Sequence, residues 1–109
     1  MKRISICLPV YNGEEFLTDT LDSIFNQIEG KLVDIVIVDD ASEDNSFRIL
    51  SNYKKKYPFI KLIRNKITIG MDKNFSKVIN LAKTDYVWFF GQDDILLNGL
   101  IDKILKVIN

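Results

Sequence analysis

Short, dense apolar runs alternate along this chain with longer stretches in which apolar residues recur every three or four positions. The first run, RISICLPV over residues 3–10, predicts a strand whose ladder loosens at Pro9, which has no N–H to donate. After the turn Tyr11-Asn12-Gly13, the residues Leu17, Leu21, Ile24 and Ile28 mark one face of a helix; Glu14 and Glu15 suit its first turn and Gly30 stops it. LVDIVIV over 32–38 predicts a second strand. The polar turn ASEDNS leads into a helix with Phe47, Leu50 and Tyr57 on one face, Lys54 to Lys56 in water, and Pro58 at its end. FIKLIR over 59–64 alternates and predicts a third strand nearer an edge. NKITIG then leads to a helix with Met71, Phe75, Val78 and Ala82 on one face. YVWFF over 86–90 shows no alternation and reads as a strand buried on both faces. Asn98 is placed to cap a last helix with Ile101, Ile104, Leu105 and Ile108 inward.

Strand and helix in alternation predict an α/β domain: an open, parallel, Rossmann-like sheet with helices on both faces, strand order 3-2-1-4 and right-handed crossovers. In such sheets ligands sit at the carboxyl ends of the strands, where the strand order reverses. That is where three polar groups fall: Tyr11 and Asn12, Asp39 and Asp40, and Asp93 and Asp94. Adjacent carboxylates at the end of a buried strand repel each other. They are tolerated as helix caps or as holders of a cation, and the residues by themselves leave both roles open.

Composition narrows the chemistry. The chain has 109 residues, which bounds it to one domain over 1–109, with 47% apolar and 28% charged residues. Lys plus Arg and Asp plus Glu are 15 each, a balance that argues against a nucleic-acid surface. The basic start MKRISICLPVYN runs too soon into Pro9 to be a signal peptide, and no apolar run approaches the ~20 residues of a membrane span. One cysteine, Cys7, lies in an apolar strand and suits a reducing compartment. There is no histidine, so metal binding rests on carboxylates, which favours Mg²⁺ or Mn²⁺ over Zn²⁺. The first turn, YNGEEF, is neither G-x-G-x-x-G nor a P-loop, and a Ser or Cys nucleophile with a histidine base is excluded. Carboxylates without a glycine-rich phosphate loop suggest a nucleotide diphosphate held through a metal ion.

Three stretches, SICLPVYNGEEFLTDTLDSIFNQ, IVIVDDASEDNS and IGMDKNFSKVINLAKTDYVWFFGQDD, resemble, in order, the opening, the second-strand motif and the Asp-x-Asp region of glycosyltransferase family 2. The resemblance covers nearly all of the chain. It implies the GT-A fold and an inverting transfer of a sugar from a nucleotide-diphosphate donor to an acceptor hydroxyl, on a saccharide or a lipid-linked acceptor, in the building of bacterial surface polysaccharide. It implies a cytoplasmic place, extending to the inner face of the membrane by peripheral association. By position, Pro9, Tyr11 and Asn12, joined by Glu14, would surround the nucleotide base. Asp40 would accept a hydrogen bond from that base, Asp39 would support the turn, Lys73 would meet the donor, and Asp93 and Asp94 would serve the metal.

The chain departs from the family pattern in three places. Gly91 stands where the first Asp of Asp-x-Asp is expected. The loop GMDKN is short, with Lys73-Asn74 near the usual Arg-Asn. The family domain is about twice as long, so the resemblance implies the donor-binding amino-terminal half, with the acceptor half and the general base beyond Asn109. Two other readings remain: a phospho-accepting receiver domain, which lacks here its acidic pair after the first strand, and a non-catalytic nucleotide-binding or scaffold module on the same fold.

Overall fold

The computed structural model describes residues 3–108; Met1 and Lys2 of the basic start, and Asn109, lie outside the described residues. Strands and helices alternate as β1 (Ile4–Val10), α1 (Glu14–Ile28), β2 (Val33–Asp39), α2 (Ser46–Lys56), β3 (Lys61–Arg64), α3 (Met71–Leu81), β4 (Tyr86–Phe89) and α4 (Leu100–Ile108). All pairings are parallel, and the order across the sheet is β3-β2-β1-β4, as the alternation predicts.

The period of two in the strands sorts the core into two layers. Ile4, Ile6, Leu8 and Val10 of β1 and Val33, Ile35 and Ile37 of β2 face α1, α2 and α4, meeting Leu17, Leu21, Ile24, Leu50 and Ile101. Each of these aliphatic side chains, once wholly buried, contributes about 1.5–3 kcal/mol. The opposite face carries a smaller cluster, Cys7, Val36 and Val38 under Val78 of α3. β2 is apolar without alternation because both its faces are covered. Burial also pushes the Cys7 thiol up to about 11.

The loosening expected at Pro9 occurs on one side only. β1 stays in register with β2 through Val10 opposite Asp39. Phe90 donates its N–H to the Cys7 carbonyl at 2.9 Å, so Cys7, and Pro9 two residues on, face β4. The β4 ladder has already ended at Phe89, and nothing on that side requires the N–H that Pro9 lacks.

Other expectations change. β4 is not buried on both faces: it is an edge strand, and Tyr86, Val87 and Phe89 are 44%, 44% and 45% exposed. On its outer face α3 supplies Phe75, whose ring lies 4.4 Å from that of Phe89. The α3 face expected from Met71, Phe75, Val78 and Ala82 is rotated, because Asn74 and Val78 are its buried residues and Met71 is exposed. In α2, Leu50 goes inward while Phe47 lies beneath the Arg64 guanidinium, 4.6 Å from its ring centre. β3 begins at Lys61, so Phe59 stays outside it, edge-on to Tyr57. Gly99, with φ of 81°, and not Asn98, directly precedes α4, whose Ile101, Ile104, Leu105 and Ile108 do pack on the core. No helix among the described residues is long and apolar enough to cross a membrane.

Candidate functional site

β2 delivers its two carboxylates in different directions. Asp39 is wholly buried: Oδ1 accepts from Ser42 Oγ at 2.6 Å, Oδ2 accepts from Ser42 N at 3.0 Å, and Arg64 Nε lies 3.5 Å from Oδ2. These bonds close a turn in which Ala41 takes a φ of 57°, a left-handed conformation that costs a non-glycine residue about 1–2 kcal/mol. Asp40 is 2% exposed. Its Oδ1 accepts from Asn65 Nδ2 at 2.9 Å and Ile69 N at 2.8 Å, its Oδ2 from Gly70 N at 3.0 Å, and its main-chain O from Thr68 Oγ1 at 3.1 Å. One side chain thus fastens the loop of residues 65–70 over the end of β2. Gly70 suits the site because its φ is 94°.

The turn after β1 is stitched to the turn after β2. Asn12, at φ 47°, donates its N–H to Ser42 Oγ at 3.0 Å and accepts Glu43 N at Oδ1 at 2.8 Å. Gly13 N donates to Ser46 Oγ at 2.8 Å, and Glu14 N donates to Asp44 Oδ2 at 3.1 Å, while Glu14 Oε2 accepts Asn45 N at 3.4 Å. Asp44 Oδ1 also accepts from Ser46 N at 2.8 Å. Partial burial would raise the Asp44 carboxyl, but the bonds from Ser46 and the Glu14 amide outweigh it and hold the group below its ordinary range.

Beyond β4 a side chain takes over from the ladder. Gln92 pairs with both main-chain groups of Tyr11, accepting its N–H at Oε1 (2.8 Å) and donating from Nε2 to its carbonyl (3.0 Å). Gly13 makes this clamp possible, since a Cβ there would lie 2.8 Å from Gln92 Cδ and Oε1. Asp94 folds back on Gly91, accepting its N–H at 3.0 Å. A Cβ on Gly91 would lie 2.7 Å from that Asp94 oxygen, so the glycine at the first position of Asp-x-Asp leaves room for a carboxylate from three residues downstream.

These ends enclose a cleft of about 460 Å³, lined by Pro9, Val10, Tyr11, Asp40, Thr68, Gly70, Met71, Asn74, Phe89, Gly91, Gln92 and Asp93. The size is ordinary for a small-molecule site. Of the residues expected to serve a ligand, Pro9, Tyr11, Asp40 and Asp93 meet here. Asn12, Glu14 and Asp39 belong to the turns described above, Lys73 is exposed on α3, and Asp94 bonds to Gly91; none of these five lines the cleft. Gln92 and Asn65 were not expected, and Asn74 was placed near the family's Arg-Asn without a role of its own. Gln92 reads in sequence as a strand break and Asn65 as a loop residue; burial, at 6% and 2% exposed, marks out Asn65 and Asn74. No group of three His, Cys, Asp or Glu placed to hold a metal ion is found among the described residues. Asp93 is an exposed carboxylate on the cleft wall, and one carboxylate with substrate oxygens and water is a usual setting for Mg²⁺ or Mn²⁺.

Fold and cleft together define an open-sheet α/β domain with a cleft at the carboxyl ends of β1, β2 and β4. The chain belongs to the family described as Glycosyl transferase family 2, whose model matches residues 5–109. It is 41% identical over 95 residues to abequosyltransferase RfbV of Salmonella typhimurium, a match covering 85% of this chain and 28% of that protein. It is 39% identical over 94 residues to a poly(ribitol-phosphate) beta-glucosyltransferase of Bacillus spizizenii, covering 84% of this chain and 15% of that one. The crystal structure of S. aureus TarS 1-349 in complex with UDP is similar with a TM-score of 0.86 at 26% identity, over 97% of this chain and 32% of that one. The chain therefore spans less than a third of the length of these relatives.

Proposed function

We propose that the chain is the donor-binding part of an inverting glycosyltransferase, which passes a sugar from a nucleoside diphosphate to an acceptor hydroxyl in the building of a bacterial surface polysaccharide. The observation that carries this reading is the placement of Asp40 and Asp93 on one cleft, at the ends of β2 and β4, in a chain of family 2. The relatives named as abequosyl- and glucosyltransferases support sugar transfer, and UDP in TarS supports the class of donor.

In this reading the nucleobase lies against Pro9 and Tyr11, and Asp40 accepts a hydrogen bond from it. Asp93 would hold a divalent cation beside the diphosphate. When bound, the cation offsets charge on the leaving group. The acceptor hydroxyl attacks the anomeric carbon opposite the diphosphate, the bond to the diphosphate oxygen breaks, and the hydroxyl proton passes to a carboxylate base in the part of the family domain that follows this one. The acceptor in this reading is a saccharide or a lipid-linked sugar, and the reaction runs in the cytoplasm, extending to the inner face of the membrane by peripheral association.

Calorimetry with UDP, in Mn²⁺ and in chelator, tests the reading. Binding is expected in Mn²⁺ and lost in chelator. Asp93→Asn keeps the size of the side chain but removes the charge a hard cation requires, so it is expected to lose the Mn²⁺-dependent binding. Its exposed position keeps the change in fold stability within about 0.5 kcal/mol. Equal affinity with and without chelator would overturn the metal role.

A further inference from the structure

We propose that the β3 edge of the sheet, together with the outer face of α2, is a docking surface for an anionic lipid bilayer; this rests on the peripheral association stated above and names the face that makes it. The charge balance of the whole chain conceals a segregation. Residues 45–71, which span α2 and β3, hold seven of the 15 Lys and Arg and none of the 15 Asp and Glu. The 44 residues before them hold ten carboxylates and three cations. Because β3 ends the sheet and α2 leads into it, the basic stretch runs along one side of the molecule, opposite β4.

Two of the seven cations are taken up inside the fold. Arg64 pairs with Asp39, 3.5 Å away, and Lys54 Nζ donates to the Pro58 and Ile60 carbonyls at 2.6 and 2.5 Å. The other five, Arg48, Lys55, Lys56, Lys61 and Lys66, are exposed, and none has a carboxylate within ion-pair distance among the described residues. The helix dipole accounts for lysines in the last turn of α2, and a lysine such as Lys61 protects an edge strand from pairing. Neither effect calls for Arg48 or Lys66, or for so long a stretch without a carboxylate.

The apolar side chains on the same edge select a bilayer over a polyanion in water. Phe59, in the turn that Lys54 holds, is 50% exposed between Lys56 and Lys61, and Ile67, next to Lys66, is 74% exposed. Cations flanking an exposed aromatic ring match a headgroup layer, where the charges meet phosphate and the ring enters the acyl boundary. With this edge down, the strands run along the membrane. The cleft at the ends of β1, β2 and β4 then opens sideways, one to three strand spacings, or about 5–15 Å, from the surface. A lipid-linked acceptor would lie at that height.

The test is co-sedimentation with vesicles of phosphatidylcholine, alone or with about 30% phosphatidylglycerol, at about 0.1 M salt, beside a titration with soluble polyphosphate at matched phosphate concentration. The parent is expected to bind the anionic vesicles about tenfold or more tighter than either the neutral vesicles or polyphosphate. The triple variant Lys55→Gln, Lys56→Gln, Lys61→Gln is expected to lose about a hundredfold, at about fivefold for each charge. Phe59→Ser is expected to lose about threefold or more with the apolar area it removes. Both variants, checked by a thermal melt, are expected to keep the parent's affinity for UDP in Mn²⁺. Equal binding of the parent to the two kinds of vesicle, or undiminished binding by the triple variant, overturns the proposal. Polyphosphate bound as tightly as the anionic vesicles overturns the bilayer in favour of a polyanion, as does an unchanged vesicle affinity in Phe59→Ser. Should Phe59→Ser fail to fold, the polyphosphate comparison on the parent decides alone. A parent that binds the anionic vesicles but not UDP supports the docking surface and overturns the nucleotide reading.

Discussion

Gly13→Ala is the sharpest test of how the cleft is built. In most proteins an alanine at φ of −106° is harmless, and it stabilises by about 0.4–1 kcal/mol through the unfolded chain. Here the new Cβ would sit 2.8 Å from Gln92 Cδ and Oε1 and 3.2 Å from Nε2, so the amide must leave. Its departure breaks the two bonds to Tyr11, each worth about 1 kcal/mol net. The balance is a loss of about 1–1.5 kcal/mol, where the local backbone alone would predict a gain. Gln92→Ala breaks the same two bonds and is expected to cost about 2 kcal/mol. The double variant separates the causes: once Gln92 is gone, the Gly13→Ala methyl has nothing to displace and is expected to add back its roughly 0.4–1 kcal/mol. Urea unfolding followed by the fluorescence of Trp88, the sole tryptophan, which packs against Phe90, measures all four proteins. A Gly13→Ala substitution equally costly in the parent and in Gln92→Ala would show that the glycine serves something other than the clamp.

Asp40→Ala is expected to cost about 2–4 kcal/mol of stability, because it strands the Asn65, Ile69 and Gly70 donors together, and to weaken UDP binding by a further ~1–3 kcal/mol; denaturant unfolding beside calorimetry checks both, and a stable variant would refute the role in holding the loop. Asp44→Asn is expected to lower stability by about 0.5–1 kcal/mol at pH 7, because an amide has one acceptor oxygen for the Glu14 and Ser46 donors. Because the folded Asp44 carboxyl is held below its unfolded value of 3.8, its contribution is present above that pH and is lost as pH falls through the lower folded value, so parent and variant should converge only in that acid range. The Cys7 thiol has the opposite sign: raised from 9.0 to about 11, it contributes stability that is full below pH 9 and lost as pH climbs toward 11, which a melt series over that window measures.

The sequence made the sheet order and the elements legible because both rest on local periodicity and on the handedness of crossovers. It also placed Pro9, Tyr11, Asp40 and Asp93 at strand ends, and these four meet. Periodicity could not say which faces the helices cover. YVWFF reads as buried whether or not anything lies over Val87 and Phe89. Nor could spacing separate Asp39 from Asp40: adjacent in sequence, one closes its own turn through Ser42 and the other reaches a loop 25 to 30 positions on. Asn12 and Glu14 occupy positions that suggest ligand contact, but their partners, the turn residues 42–45, come from the next strand end. Gln92 and Asn65 were missed, and Asn74 was named without its partners, for the same reason, since a polar side chain acquires its meaning here from a partner that only the tertiary fold supplies.

The clamp between Tyr11 and Gln92 also sets an order of assembly. It joins positions 81 apart, whereas the Asn12–Ser42 stitch joins positions 30 apart. Closing the larger loop costs only about 0.9 kcal/mol more in chain entropy, a small thermodynamic difference but a separation in time, because β1, β2 and β3 can pair before β4 has been synthesised. The wall bearing Asp40 then exists before the wall bearing Asp93. A ligand that bridges the two would act as a late staple, slowing the release of β4 more than it slows the unravelling of the rest of the sheet.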